Sequence, residues 1–325
     1  MIIKSELIEL FERNREGYIS GNEIAERFGV SRTAVWKSIN SLRNEGYVIE
    51  AVGSKGYRMM AENDVVSAAG IDKYLDEYEG SFRFDIYDVI SSTNDVLKEK
   101  AWAGEKEGLV AAASRQTGGK GRMGRSFSSP EGSGVYFSLL LRPRIPLEEI
   151  TLITTAAAVA VCRAAERISD IKAEIKWVND VYVGGRKTAG ILTEASFGGE
   201  TGTLDYVVLG IGINLYVPEG GFPEEIADIA GGLFDNRIED GRNKMIAFVL
   251  EEFKKIYDRF EDKSFVEEYI DRSFVRGKEI VITARGAEPR FGKVLGIDPS
   301  CRLEVMMEDG TTEFINSGEI SIRPL

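Results

Sequence analysis

One stretch, Ala113–Phe127, constrains the fold of this chain more than any other. It reads A-S-R-Q-T-G-G-K-G-R-M-G-R-S-F and packs Gly118, Gly119, Gly121 and Gly124 among the cations Arg115, Lys120, Arg122 and Arg125. Glycines let backbone N–H groups approach a ligand closely, and cations among such groups make an anion site, most often for phosphate. Gly119-x-Gly121-x-x-Gly124 also matches the dinucleotide fingerprint literally. That fingerprint needs a strand running into its first glycine and a helix opening at its last. Here the strand candidate Leu109–Ala113 is separated from Gly119 by Ser114–Gly118, and Ser126–Gly134 cannot start a helix. Val135–Leu141 then reads as a second buried strand. Strand–loop–strand leaves no helix dipole aimed at a pyrophosphate, which argues against a dinucleotide site. A kinase Gly-rich loop does lie between strands, but its catalytic loop needs H-R-D, and this chain has no histidine. Two readings stay open: an anion site of another kind, or a mobile surface loop.

The missing histidine narrows the chemistry further. It removes the usual Ser–His and Cys–His nucleophiles and most zinc sites. Catalysis must rest on lysine, arginine, carboxylates, backbone dipoles or a bound metal ion. Cys162 and Cys301 lie far apart without metal-ligand spacing, so a reduced, cytoplasmic protein is expected. Ile150–Ala165 is apolar but carries three threonines and Arg163, too short and too polar to span a bilayer. No membrane partner is expected. With 325 residues the chain has room for two or three domains. A net charge of −12 argues against indiscriminate nucleic-acid binding. The charge is uneven, however. Residues 1–63 balance their acids and bases, so the whole excess lies in the remainder.

That neutral segment has its own pattern. Leu7, Ile8, Leu10 and Phe11 give Ser5–Asn14 a helical spacing. Ser20, with Glu23 three residues on, predicts the capped start of a second helix, which stops at Gly29. Ser31 caps a third, running to about Asn44. Two short helices joined by Phe28-Gly-Val-Ser31 form a helix-turn-helix pattern. The third helix carries Arg32, Lys37 and Arg43 and no acid, and its outward set of Arg32, Thr33, Trp36, Lys37, Asn40 and Arg43 suits phosphates and base edges. Tyr47–Val52, Gly53-Ser-Lys-Gly56 and Tyr57–Met60 predict a hairpin with Lys55 at its tip, the wing of a winged helix. A lack of acids on the presumed recognition helix favours DNA over a protein-docking role.

The middle of the chain mixes strands and helices. Phe82–Val89 alternates as a strand, and Ser91-Ser-Thr-Asn-Asp95 opens the helix Asn94–Trp102. Ser92 or Thr93 there either simply caps the helix or offers a free hydroxyl to a carbonyl or carboxylate. Val66–Leu75 reads as a short helix and Leu147–Ile168 as an Ala-rich buried one. Glu174–Asp180 is extended. Lys187-Thr188 suggests a Walker A lysine, but Val181 and Arg186 stand where that motif requires glycine. Asn179-Asp180 could be a turn pair and Lys187 a solvated charge. Tyr206–Leu215 reads as a buried strand whose glycines admit close approach. Pro218–Gly232 reads as a loop over a site. After the helices Lys244–Phe260 and Phe265–Arg272 come five strand candidates: Glu279–Ala284, Arg290–Ile297, Arg302–Met307, Thr312–Asn316 and Ile320–Ile322. Asp309-Gly310 marks a hairpin turn. The expected fold is α+β and multidomain: an N-terminal winged helix-turn-helix (1–63), a central mixed α/β domain (65–276) and a small SH3-like β-barrel (277–325).

Four motifs occur in order: Gln116-Thr-Gly-Gly-Lys-Gly-Arg-Met-Gly-Arg125, Lys176-Trp-Val-Asn-Asp180, Lys187-Thr-Ala-Gly-Ile-Leu-Thr-Glu194 and Gly210-Ile-Gly-Ile-Asn214. Together they resemble the biotin–protein ligases, and with the winged helix in front the chain resembles the bifunctional ligases that also repress a biotin operon. The resemblance covers nearly the full length. It implies activation of biotin by ATP, with Mg²⁺ accompanying the nucleotide, to biotinyl-adenylate, and transfer to a lysine of a biotin carboxyl carrier domain. It also implies an adenylate-promoted homodimer gripping operator DNA. Carried over by position, Ser92, Thr93 and Asn94 resemble biotin contacts, and Gln116, Lys120, Gly121 and Arg122 resemble contacts to biotin and the adenylate phosphate. Lys187 resembles the cation bridging carboxylate and α-phosphate. Asn179 and Asp180 would position Mg²⁺ or the carrier lysine, and Gly190, Gly210 and Gly212 would line the ligand slot. No protein metal ligands are implied. Lys120 replaces an arginine often found there, keeping charge but losing the bidentate fork, and Val178 replaces a proline. A ligand-sensing repressor without turnover, and a lipoate-type ligase on the same fold, are the alternatives.

Overall fold

The computed structural model describes residues 4–198, 203–283, 288–316 and 318–322. Its first unit comprises α1 (Lys4–Glu12), α2 (Gly21–Phe28), α3 (Arg32–Asn44), β1 (Ile49–Val52) and β2 (Gly56–Met59). The expected caps form: Ser20 Oγ accepts from Glu23 N (3.1 Å) and Ser31 Oγ from Ala34 N (3.2 Å). Gly29 closes α2 in the left-handed region (φ 62°), where a side chain would be strained. β1 and β2 pair antiparallel as the wing. Leu7, Phe11, Ile24, Val35, Ile39, Leu42 and Met59 form a core separate from the rest of the molecule.

The central unit holds α4 (Ala68–Asp72), β3 (Arg83–Ile90), α5 (Thr93–Trp102), β4 (Leu109–Gln116), β5 (Gly134–Leu141), α6 (Ile150–Ile168), β6 (Ala173–Lys176), β7 (Asp180–Val183), β8 (Arg186–Gly198), β9 (Thr203–Asn214), α7 (Gly241–Tyr257) and α8 (Phe265–Arg272). The helix expected over Val66–Leu75 is shorter, because Ser67 caps it at Gly70 N and the chain turns again after Asp72. Seven strands pair in the order β3-β4-β5-β9-β8-β7-β6. Only β3 and β4, joined across α5, run parallel. The sheet is covered on both faces, so β4 and β5 read as unbroken apolar runs. In β4, Leu109 and Ala111 pack toward α5, while Val110 and Ala112 join the larger core beneath α6 and α7. Ala156, Ala157, Ala158, Ala160, Ala164 and Ala165 of α6 are fully buried, and their small size lets the helix lie close to its neighbours.

The last unit is a five-stranded antiparallel sheet of β10 (Glu279–Thr283), β11 (Arg290–Ile297), β12 (Leu303–Met307), β13 (Thr312–Ile315) and β14 (Glu319–Ile322), in the order β13-β12-β11-β10-β14. Ala284, expected to end the first of these strands, lies outside the described residues. Ile280, Ile282, Val294, Leu303, Val305 and Ile320 belong to the same continuous core as the central sheet. Trp177 Nε1 donates to Cys301 O (2.8 Å), tying the β6–β7 turn to this cap.

A charged junction joins the winged helix to the central unit. The side chains of Glu12, on α1, and Asp240, just before α7, are fully buried there. Lys73 and Arg15 each bridge the two carboxylates, with Lys73 Nζ 2.6 Å and Arg15 Nη2 3.1 Å from Asp240 Oδ2. Tyr74 OH (3.0 Å) and Asn243 Nδ2 (2.7 Å) also donate to Asp240. Every carboxylate in the cluster therefore faces cations and neutral donors, the condition for burying charge.

Candidate active site

The α5 face of the sheet changes character halfway along β9. Tyr206 and Val208 pack against α5. The next two residues on that face are Gly210 and Gly212, and the side-chain row stops. A Cβ at Gly210 would collide with Asn94 Oδ1, and one at Gly212 would stand 2.5 Å from the Phe127 ring. Gly190 of β8 lies opposite Gly212. The three glycines thus floor a slot open to the α5 side.

The slot ends at the first turn of α5. Ser92 sits at the N-cap position, and its side chain does not cap the helix. Ser92, Thr93 and Asn94 are all buried. Thr93 N donates to Gln116 Oε1 (2.8 Å), and Asn94 Nδ2 to Glu194 Oε2 (2.8 Å). Ser138 Oγ lies 2.7 Å from Thr93 Oγ1 and 2.5 Å from Asn94 Oδ1. Ser138 does not line the cleft but supports Thr93 and Asn94 from behind, and its lone hydroxyl in a mostly apolar strand was the signal for that role.

Over the slot folds the Gly-rich stretch, a hairpin flap. Gly121 N donates to Arg125 O (2.7 Å) and Phe127 N to Gly119 O (2.8 Å). Met123 (φ 55°) and Gly124 (φ 80°) make its tip. The flap brings Lys120, Arg122 and Arg125 to the cleft, and β6 and β8 bring Lys176 and Lys187. Lys187 Nζ pairs with Asp180 Oδ1 (2.7 Å), and Arg122 Nη1 donates to Asn179 Oδ1 (3.0 Å). Regular alternation would set Lys187 and Gly190 on opposite faces of β8. A bulge in β8, where Thr188 has no partner opposite the Val181–Tyr182 step of β7, puts both on the cleft. The backbone of Lys187 is held on its other side by the loop after β9: Lys187 N donates to Ile229 O (2.8 Å) and Gly231 N to Lys187 O (2.9 Å).

The residues that the resemblance assigns to the ligand site line this one cleft: Ser92, Thr93, Asn94, Gln116, Lys120, Gly121, Arg122, Asn179, Asp180, Lys187, Gly190, Gly210 and Gly212. Lys120 lines it too, but its ammonium is turned to Asp95 Oδ1 (2.6 Å) on α5. Among the lining residues outside that set are Phe127, Trp177 and Ile320. The first two lie inside quoted motifs, whereas Ile320 reaches the cleft from β14 and carries no local signal. Five cations against one carboxylate line the cleft of a chain whose net charge is −12. Such a cleft concentrates anions. Among the described residues no three His, Cys, Asp or Glu side chains converge as a metal site.

In the winged helix, Arg32, Thr33, Trp36 and Lys37 are exposed along α3, with Asn40 half-buried. Trp36 is 54% exposed. Arg43 is partly committed elsewhere: its Nε and Nη2 both donate to Ile49 O, bracing α3 against the wing. Lys55 is exposed at the wing tip, 5.5 Å from the Tyr18 ring.

Comparison with known proteins places these features together. The chain is 38% identical to the bifunctional ligase/repressor BirA of Bacillus subtilis over 98% of both chains. The chain belongs to the bifunctional ligase/repressor family. It is also 31% identical to BirA of Escherichia coli, over 94% of this chain and 92% of that one. Residues 86–214 match the biotin/lipoate A/B protein ligase family, residues 4–58 an HTH domain, and residues 276–323 the biotin protein ligase C-terminal domain. Among solved structures, biotin protein ligase from Aquifex aeolicus in complex with biotin and ATP superposes with a TM-score of 0.59 at 31% identity, covering 74% of this chain and 98% of that one. In this member of the family, the flap, the glycine slot and Lys187 all lie within the matched ligase region. No helix among the described residues is long and apolar enough to cross a membrane.

Proposed function

We propose that the cleft joins biotin to ATP as biotinyl-adenylate and passes the biotinyl group to a lysine of a biotin carboxyl carrier domain. The observation that carries the site assignment is the meeting of a hydroxyl-and-amide pocket, a glycine slot and five cations in one cleft. Joining a carboxylate to a triphosphate brings two anions together, so the enzyme must neutralise charge and align the reactants. Ser92, Thr93, Asn94 and Gln116 supply hydrogen-bonding groups for a neutral polar head, and the Gly190–Gly212 slot takes a flat body beside Phe127. Lys187 bridges the carboxylate and the α-phosphate, leaving Asp180 to do so, and Arg122 steadies the phosphate from the flap. Asp180 and Asn179 are then released toward the incoming amine. Mg²⁺ enters as part of the nucleotide substrate, held chiefly by phosphate oxygens, as this ion commonly is.

Residues 1–63 form the DNA-binding unit, 65–276 the catalytic unit and 277–325 its cap. The exposed α3 face of Arg32, Thr33, Trp36, Lys37 and Asn40, with Lys55 on the wing, reads an operator, and adenylate-promoted pairing of two chains presents two such helices to a palindrome. Incubation of the full chain with ATP, biotin and a carrier domain should biotinylate the carrier, detected by mass spectrometry. No transfer at any Mg²⁺ concentration would remove the ligase reading. Adenylate-dependent operator retardation in a gel, with sedimentation reporting the dimer, tests the second half.

A further inference from the structure

Glu194 stands on β8, four residues past Gly190 and on the same face of the sheet, but it does not line the cleft. Its Oε2 accepts from Asn94 Nδ2 (2.8 Å) and its Oε1 from Lys98 Nζ (3.0 Å). A carboxylate only accepts, so it fixes which end of the Asn94 amide faces it. Asn94 Oδ1 then points the other way. Ser138 Oγ lies 2.5 Å from it there, and the missing side chain of Gly210 makes room for it. Ser138 has one hydroxyl proton and Asn94 Oδ1 has none to give, so that proton goes to Asn94. The 2.7 Å contact between Ser138 Oγ and Thr93 Oγ1 then needs the Thr93 proton. The rival acceptor for it, Gln116 Oε1, is farther away at 3.2 Å and already takes Thr93 N (2.8 Å). Three hydrogen bonds thus run head to tail, from Thr93 to Ser138 to Asn94 to Glu194. All four residues of this relay belong to α5, β5 and β8, outside the flap.

The direction of the relay matters because Thr93 and Asn94 line the cleft. With its proton committed to Ser138, the Thr93 hydroxyl meets a ligand through lone pairs alone. Asn94 Oδ1 likewise keeps a lone pair beyond the one that Ser138 uses. We propose that Glu194 is a positioning residue for the substrate head: by setting the direction of the relay it makes Thr93 Oγ1 and Asn94 Oδ1 acceptors, which select a ring with N–H donors, such as the cyclic urea of biotin, over a ring without them. The inference rests on the function proposed above and deepens it. A dithiolane ring, as in lipoate, would leave both acceptors unpaired in a buried pocket, and an unpaired buried polar group is costly. An amide in place of the carboxylate lets the relay reverse, since Gln can donate where Glu only accepts.

The test uses the full chain. Calorimetry reads the affinity for biotin, competition reads that for lipoate, and steady-state assays separate KM from kcat for carrier biotinylation. Glu194→Gln should weaken biotin binding about tenfold, the scale of one misdirected buried hydrogen bond, and KM for biotin should rise by a similar factor. The weaker binding of lipoate should stay as it is, so the preference for biotin falls. At saturating biotin kcat should be nearly unchanged, because Lys187 and Arg122 remain at the reacting atoms. Ser138→Ala, which breaks the same relay, should add little to Glu194→Gln in the double variant. Lys98→Met leaves the carboxylate in place and removes only a partly exposed pair, so it should keep biotin binding within about twofold. Wild-type biotin affinity in Glu194→Gln would overturn the inference. An equal loss for biotin and lipoate would overturn it too, as the mark of a merely structural contact. So would a Lys98→Met variant as weak as Glu194→Gln, since charge and not direction would then matter. If the wild-type chain binds no biotin, the ligase reading fails instead.

Discussion

Two charged clusters in this molecule are made of the same residue types and do opposite things. At the junction between winged helix and catalytic unit, Glu12 and Asp240 have no exposed side-chain surface. At the flap, Lys120 and Asp95 expose 42% and 34% of theirs. Exposed pairs are screened and contribute about 0–1 kcal/mol, so they can be opened and exchanged with little loss. Removing one partner of a buried pair costs about 3–5 kcal/mol, because the other charge is stranded. Burial, more than pairing distance, separates a hinge from a weld. The flap can follow a ligand, while the DNA-binding unit is held in one orientation on the body that carries the site.

The hardest test of the weld is Asp240→Asn. Asn tolerates the left-handed backbone found there (φ 52°), so the change isolates the charge. It should destabilise the full chain by about 3 kcal/mol in urea titration; a loss under about 1 kcal/mol would place this junction with the surface pairs. In the cleft, Arg122→Ala and Lys187→Ala should each raise the barrier by about 2–4 kcal/mol in kcat/KM while leaving the melting temperature nearly unchanged. Loss of stability without loss of rate would reverse the contrast between the regions. Gly212→Ala should weaken adenylate binding by roughly 1–3 kcal/mol, the scale of overpacking, because its Cβ falls against Phe127. Wild-type affinity would show that the ring swings freely.

A third ion-pair group gives a smaller and graded effect. Burial pushes the Glu268 and Glu166 carboxyls up, but Arg163 and Arg272 outweigh it for Glu268, and Arg272 with Ala173 N for Glu166, leaving both below their ordinary value of 4.5. Groups depressed on folding stabilise the chain above their unfolded value and lose that contribution as pH falls. Thermal melting should therefore decline as pH drops below 4.5, and Glu268→Gln should flatten that decline. An unchanged slope would remove these carboxylates from the acid response.

Much of the site was legible because its parts are local. The glycines of β9, the hydroxyls before α5 and the cations of the flap each advertise themselves within a few residues, and helix caps such as Ser20 and Ser31 act within one turn. The bulge beside Lys187 was not legible, since a one-residue slip in register leaves no mark on composition. The brace from Arg43 to the Ile49 carbonyl was not legible either, because the sequence shows only a cation on a polar face. Ile320 was invisible as a site residue because strand periodicity assigns a residue to a face without saying whose core that face meets.

By itself the sequence determined the order of motifs, the winged helix, the cationic flap and a chemistry without histidine, because each follows from short-range geometry and residue type. Tertiary structure decided which charges meet. It paired Lys120 with Asp95, Arg122 with Asn179, Lys187 with Asp180 and Glu12 with the cations of the junction. Those choices depend on how whole layers pack and on how much water each pair retains, and neither quantity is written in any one stretch of the chain.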